Sequence, residues 1–220
     1  MTPTITPTPV PDAARIEGIK WIKQGFNNCG PANLAMLLTY WGEETTQQDT
    51  EKVLKPRKED RNVMPYEMLG YVEQHTNLRG FVRYGGNLEL LKQFVAAGFP
   101  VIIERGYKDA KEGWMGHYGL VFAYDDAAQQ VEIPDTYLGF IKMSYEEVDM
   151  WWAQFDYIYM VVYPAEREAD ALAILGPHAD PDYNLRAALE QVGNRIILCL
   201  VQPRLDHGGD AGLLRRFPSL

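Results

Sequence analysis

The chain of 220 residues carries 21 Lys and Arg against 30 Asp and Glu, a net charge of -9, with 46% hydrophobic and 12% aromatic residues. That is enough apolar side chain for one full core with a smaller appendage, and the acidic balance offers no electrostatic footprint for nucleic acid or an anionic membrane. Two cysteines, Cys29 and Cys199, cannot make a disulfide framework, and no apolar run is long enough to span a bilayer.

Residues 1–15 contain a Pro/Thr tract, TPTITPTPVP, that cannot pack a core and reads as an extended stalk or linker. A stalk joins two parts. The expectation is therefore a natural start upstream of Met1, with an anchor or export signal, and an extracytoplasmic or cell-surface setting. The first residues as given have neither the basic start nor the apolar core of a secretory signal.

A short strand or extended arm is predicted over 16–23, leading into the loop Gln24-Gly-Phe-Asn-Asn-Cys29. A helix begins at Pro31, where a missing N–H is harmless, buries Leu34, Leu37 and Leu38 on one face and stops at Gly42. Thr46 caps a second helix that Pro56 ends, the charge run 55–61 reads as a solvated loop, and a third helix over 64–75 starts with Pro65. Residues 78–84 read as a strand, Asn87 caps a helix over 88–97, and a short buried strand follows over 101–104. Strands then dominate, at 117–124, 130–133 and 139–143, with a turn at 125–128 between the first two. Ser144 caps a helix over 145–155, and an aromatic, β-branched strand over 157–163 closes the main unit. Helices first and antiparallel strands second predict an α+β fold for residues 16–164.

Chemistry concentrates around Cys29. A cysteine at a helix N-terminus sits among unpaired backbone N–H groups and the positive end of the helix dipole, which favour the reactive thiolate. Gln24, upstream on the same loop, can place its amide beside the Cys29 backbone N–H, giving two donors for an oxyanion. A nucleophilic thiol also needs a base and a group to orient that base. Of the four histidines, His75 at a helix end, His178 in a linker and His207 in the tail read as surface residues. His117 opens a strand between Gly116 and Tyr118-Gly119, where small neighbours leave room for substrate. Asp135 ends the next strand, and the intervening turn would bring it beside His117. Trp114, Tyr118 and Tyr137 flank these residues as cleft walls or as packing. Singly, Cys29 reads as a buried small hydrophobe, His117 as a structural histidine and Asp135 as a turn residue; together they read as one site.

The pattern Gln24-x4-Cys29-Gly30-Pro31, then His117-Tyr118-Gly119-Leu-Val, then Pro134-Asp135, resembles the bacteriocin-processing cysteine peptidases, in particular their stand-alone relatives without a transporter. The resemblance covers about residues 18–164. It implies a papain-like fold, a bacterial setting and no cofactor or metal, with Gln24 as oxyanion-hole donor, Cys29 as nucleophile, His117 as base and Asp135 as orienting acid. Many relatives have Asp followed by Pro, whereas here Pro134 precedes Asp135 and Thr136 follows. Prototype members cut a leader peptide after two glycines and are fused to an exporter; this chain has no ATP-binding loop, so the implied substrate is a peptide or another amide.

Residues 165–192 read as helical and loosely resemble the start of a tetratricopeptide helix pair, a possible contact for a protein partner; one such pair needs further repeats or docking on the main domain. From 193 to 220 the texture changes to an irregular tail rich in Arg, Gly and Pro, which sets the expectation of an out-of-frame replacement for a repeat array. Three functions share the residues of the site: a cysteine peptidase, an idle papain-like module that binds peptides, and an acyltransferase or amidase working through the same thioester.

Overall fold

The computed structural model describes residues 10–57, 60, 62–109 and 113–201. Among them lie eight strands and seven α-helices: β1 (Ala13–Arg15), α1 (Cys29–Tyr40), α2 (Gln47–Leu54), α3 (Pro65–His75), β2 (Leu78–Arg83), α4 (Leu88–Ala96), β3 (Val101–Asp109), β4 (Gly113–Val121), β5 (Ala123–Asp125), β6 (Gln130–Asp135), β7 (Gly139–Ser144), α5 (Tyr145–Trp152), β8 (Tyr159–Pro164), α6 (Glu168–Leu175) and α7 (Pro181–Val201). The strands form two antiparallel sheets, one ordered β1-β5-β6-β7 and the other β2-β8-β3-β4. This is the α+β arrangement expected from the order of elements.

Both faces of the second sheet are covered, which is why its strands read as almost unbroken apolar runs. Period-2 alternation sends Val101, Ile103, Val121, Tyr159 and Val161 into one core with α4 and the first sheet. Their neighbours Ile102, Leu120, Met160 and Val162 enter a second core with α1 and α3. The first core is aromatic: Phe94 is fully buried and packs at ring-centroid distances of 6.0 Å from Phe81, 6.1 Å from Phe99 and 6.3 Å from Tyr159.

Several boundaries differ from the sequence reading. Pairing starts at β1, ahead of the arm predicted over 16–23, because Ala13–Arg15 adds to the edge of β5; residues 16–23 form no regular element. The predicted strand over 117–124 is two strands. Phe122 interrupts it, so β4 belongs to one sheet and β5 to the other. β3 and β4 are also longer than predicted and form a hairpin in which Arg105 lies opposite His117. His117 therefore sits inside a strand and not at its mouth. Cross-strand hydrogen bonding carries the hairpin through residues too polar and glycine-rich to read as strand.

The C-terminal helices dock on this body. Arg83 donates to the carbonyls of His178 and Ala179, each at 2.8 Å, and Asn184 donates to the Tyr84 carbonyl at 2.8 Å. α7 runs past Gly193 to Val201; residues 202–220, with His207 and most of the predicted irregular tail, lie outside the described residues. No helix among the described residues is long and apolar enough to cross a membrane.

Replacing Phe94 with Ala should lower stability by about 3–5 kcal/mol in urea or thermal unfolding, because the surrounding rings cannot collapse into the space. A loss below about 1 kcal/mol would show that the aromatic core is not the principal one.

Candidate active site

The site is built from three places in the chain: the loop entering α1, the interior of β4 and the end of β6. Cys29 is the first residue of α1. Asn28, at the N-cap position, makes no side-chain cap; it is tied instead to Gln47 Oε1 at 3.1 Å and accepts from Lys55 Nζ at 3.2 Å. Gln47 also accepts from the Gly25 N–H at 2.6 Å and donates to the Lys23 carbonyl at 3.0 Å, while Lys55 donates to the Asn27 carbonyl at 2.7 Å. Asn27 adopts a left-handed φ of 52°, a conformation that asparagine tolerates better than most residues.

His117 and Arg105 share the face of their hairpin that points at β6. Asp135 has no exposed surface, and its Oδ2 lies 3.1 Å from His117 Nε2 and 2.6 Å from an Arg105 guanidinium nitrogen. The carboxylate only accepts, so Nε2 carries the proton and Nδ1 is left for Cys29, to whose side chain His117 is hydrogen-bonded. The other carboxylate oxygen accepts from the backbone N–H groups of Tyr137 at 2.9 Å and Leu138 at 3.0 Å. Tyr137 stacks on the imidazole at 5.6 Å, and Tyr107 approaches it at 5.3 Å.

The charges follow from this wiring. Burial pushes the Cys29 thiol up, but the hydrogen bond and charge of His117, with backbone hydrogen bonds at Tyr118 and Gly30, outweigh it and leave the thiol below its ordinary value. Burial opposes the His117 imidazolium, and Asp135 and Cys29 outweigh that, so the imidazole is raised. Burial likewise opposes the Asp135 carboxylate, yet His117, the Tyr137 N–H and Arg105 hold it down at about 2.

Gln24 is buried beside the same corner. Its backbone N–H donates to the Thr136 carbonyl at 3.0 Å and its Oε1 accepts from the Thr136 hydroxyl, which leaves the amide nitrogen as the end free to face the cavity, with a weak 3.3 Å contact to the Gly25 carbonyl. Cys29, His117 and Gln24 line one cavity of about 880 Å³, walled in part by Trp114, Tyr118 and Tyr137. The structure thus joins Cys29, His117 and Asp135 in one bonded series and sets Gln24 in their cavity. His75 stacks on Tyr71, and His178 meets Asn184, both elsewhere. Of the two glycines expected to leave room for substrate, only Gly116 lines the cavity. Gly119 makes room inside the protein: a Cβ there would lie 3.2 Å from Ile133 and 3.4 Å from Arg105.

Arg105, Thr136, Gln47 and Trp21, whose indole N–H donates to the Asp135 carbonyl at 2.7 Å, were not singled out from sequence. Only Arg105 left a signal. With Glu104 it forms a pair of charges on an apolar run, and strand alternation must turn one of the two into the sheet interior, where it needs a buried partner of opposite sign.

The described residues hold no group of His, Cys, Asp and Glu able to bind a metal ion. A helix bearing a cysteine at its N-terminus, set against the edge of an antiparallel sheet bearing a histidine and an acid, is the architecture of papain-like cysteine peptidases. The chain belongs to the Peptidase_C39 like family, whose model matches residues 16–162. Among solved structures it is similar to a double glycine motif protease from an AMS/PCAT transporter in complex with the leader peptide, at 20% identity over 69% of this chain and 95% of that one, with a TM-score of 0.53. A C39-like peptidase from Bacillus anthracis is 15% identical over 70% of this chain and 98% of its own, with a TM-score of 0.55. The peptidase domain of Streptococcus ComA, a bi-functional ABC transporter of a quorum sensing pathway, is 18% identical over 67% and 99%, with a TM-score of 0.52. These likenesses carry the fold. No curated protein matches the chain.

Asp135 should make the protein acid-sensitive. Its folded value of about 2 lies below the ordinary 3.8, so the stabilisation is complete above the ordinary value and is lost as pH falls towards 2. Across that window the wild type should lose about 2 kcal/mol that Asp135→Asn does not, measured by urea unfolding at stepped pH. Parallel curves for the two proteins would contradict this assignment.

Proposed function

We propose that the chain is an active cysteine peptidase that hydrolyses a peptide bond through a thioester intermediate. The observation that carries this reading is the continuous series from Cys29 through His117 to Asp135, in which the thiol is lowered and the imidazole raised. Opposite shifts in one hydrogen-bonded pair favour a thiolate facing an imidazolium, which is a nucleophile and a proton donor ready for use.

Sγ of Cys29 attacks the carbonyl carbon, and the carbonyl π electrons move to oxygen. Gln24 Nε2 and the Cys29 backbone N–H donate to that oxyanion. As the intermediate collapses, the carbon–nitrogen bond breaks and His117 gives its Nδ1 proton to the departing amine. Water then enters, loses a proton to His117 and attacks the thioester, which releases the acid and returns the thiolate. Asp135 fixes the tautomer from the far side of the ring, and Arg105 keeps Asp135 ionised. A peptide substrate is in keeping with the leader peptide held by the transporter protease of the same fold.

Cys29 should react with iodoacetamide well below the ordinary thiol value, with the modified residue located by mass spectrometry, and His117→Ala should push that labelling to alkaline pH. Labelling confined to alkaline pH in the wild type, or unchanged by His117→Ala, would favour an idle peptide-binding module. Once a cleaved peptide is found, Gln24→Ala should lower kcat by about 100- to 1000-fold with little change in KM, the signature of a donor used in the transition state. Loss in KM alone would assign Gln24 to substrate binding.

A further inference from the structure

The mechanism leaves unused one carboxyl among the described residues that line the cavity. Glu104 lies on β3 beside Arg105, so strand alternation turns it to the opposite face of the sheet, where it lines the cavity. Its Oε1 sits 3.6 Å from where a Cβ at Gly116 would be, and that same point is 2.9 Å from the Phe155 ring. The absence of a side chain at Gly116 therefore opens the carboxyl to the cavity next to the edge of the Phe155 ring. Trp114 stacks on Phe155 at 6.0 Å, nearly parallel, and is held there by its indole N–H donating to Gln154 at 2.7 Å. The cavity residues include no Lys or Arg among those described, and Glu104 is hydrogen-bonded to the Tyr118 hydroxyl. Tyr118 is itself committed, donating to the Val63 carbonyl at 2.7 Å.

We propose that Glu104, with the rings of Phe155, Trp114 and Tyr118, forms a subsite that takes a cationic group of the substrate, an ammonium or guanidinium. A cation there gains an ion pair with Glu104 while its alkyl stem packs among the rings, and a neutral side chain obtains no ion pair. Burial, only partly offset by Tyr118, pushes the Glu104 carboxyl up to about 7, and a cation beside it would lower that value. The subsite deepens the peptidase reading of the same cavity by naming a substrate class, but its binding does not require a reactive Cys29.

The test is equilibrium binding to the whole chain, followed by tryptophan fluorescence about half a pH unit above the value at which Glu104 ionises, where an α-amino group is still largely charged. The probes are acetyl-arginine amide, acetyl-lysine amide, their neutral isostere acetyl-citrulline amide, and norleucine amide with a free amino terminus. Arginine or lysine should bind about tenfold more tightly than citrulline, and Glu104→Gln should reduce that ratio below about twofold. The ratio should also collapse as pH falls through about 7, since protonation removes the anion. Preference for the norleucine probe alone would assign the subsite to a substrate amino terminus instead of a side chain. Equal binding of arginine and citrulline, or a preference that survives Glu104→Gln, would overturn the subsite. A cation preference in a protein whose Cys29 resists iodoacetamide would uphold the subsite and remove the peptidase reading.

Discussion

Asp135 has no contact with solvent, and a carboxylate in such a place costs several kcal/mol unless donors and positive charge meet it. Two stretches of the chain meet the carboxylate, and a third holds the residue's backbone. The β3–β4 hairpin brings Arg105 and His117, the turn after β6 brings two backbone N–H groups, and the arm before α1 brings Trp21 to the Asp135 carbonyl. Each of these supports the acid and is in turn located by it. The orientation of the imidazole follows, since the ring nitrogen facing Asp135 is fixed as a donor and the other is presented to sulfur. Thr136, the next residue, extends the same corner to Gln24. His117 and Gln24 are therefore set by adjacent residues of one strand end, and a shift of that end would move both.

The second sheet divides its labour by alternation. Residues of β3 and β4 that face β6 include Arg105 and His117, held on Asp135; residues that face α1 and α3 build the helix-side core and, at its open edge, the cavity wall. Arg105 and Glu104 are neighbours in sequence with opposite charges and opposite fates. One is buried with a matched anion, and the other stands at a cavity without a cation. Because β4 is an edge strand, α1 can reach across that edge and place Cys29 against His117 without breaking a ladder. The family fold supplies this edge, and the composition of the edge decides what lies beside it.

Much of this was legible in the sequence because it rests on local rules. The caps predicted at Thr46, Asn87 and Ser144 are present, each side chain accepting a backbone N–H of the first helical turn, and the apolar runs became strands buried on both faces. The elements that escaped were set by pairing across long distances. Nothing local in residues 105–116 announces a hairpin, and only the ladder between Arg105 and His117 explains why strand structure continues there. Phe122 reads as the middle of a strand because apolarity does not record that its two sides join different sheets. At the site, residue types carrying chemistry, Cys, His and Asp in a motif, stood out. Residues that only position them did not, since a threonine or glutamine has no signature until its partner is known.

Gln47 illustrates why such residues matter. An asparagine before a helix normally spends its side chain on the first free backbone N–H groups. Here Gln47 and Lys55 occupy the Asn28 side chain instead, so the helix lacks that cap and its first N–H groups are not consumed by a neighbouring carboxamide. Sulfur takes their place, for Cys29 is bonded to the backbone at Gly30. An uncapped helix end is unfavourable by about 1 kcal/mol, and a thiolate lying on it recovers that deficit while its own proton affinity falls. The loop is thus held by residues of α2 so that the helix end need not hold it. The helix end thereby adds to the lowering of the cysteine's proton affinity, behind the larger contribution of His117.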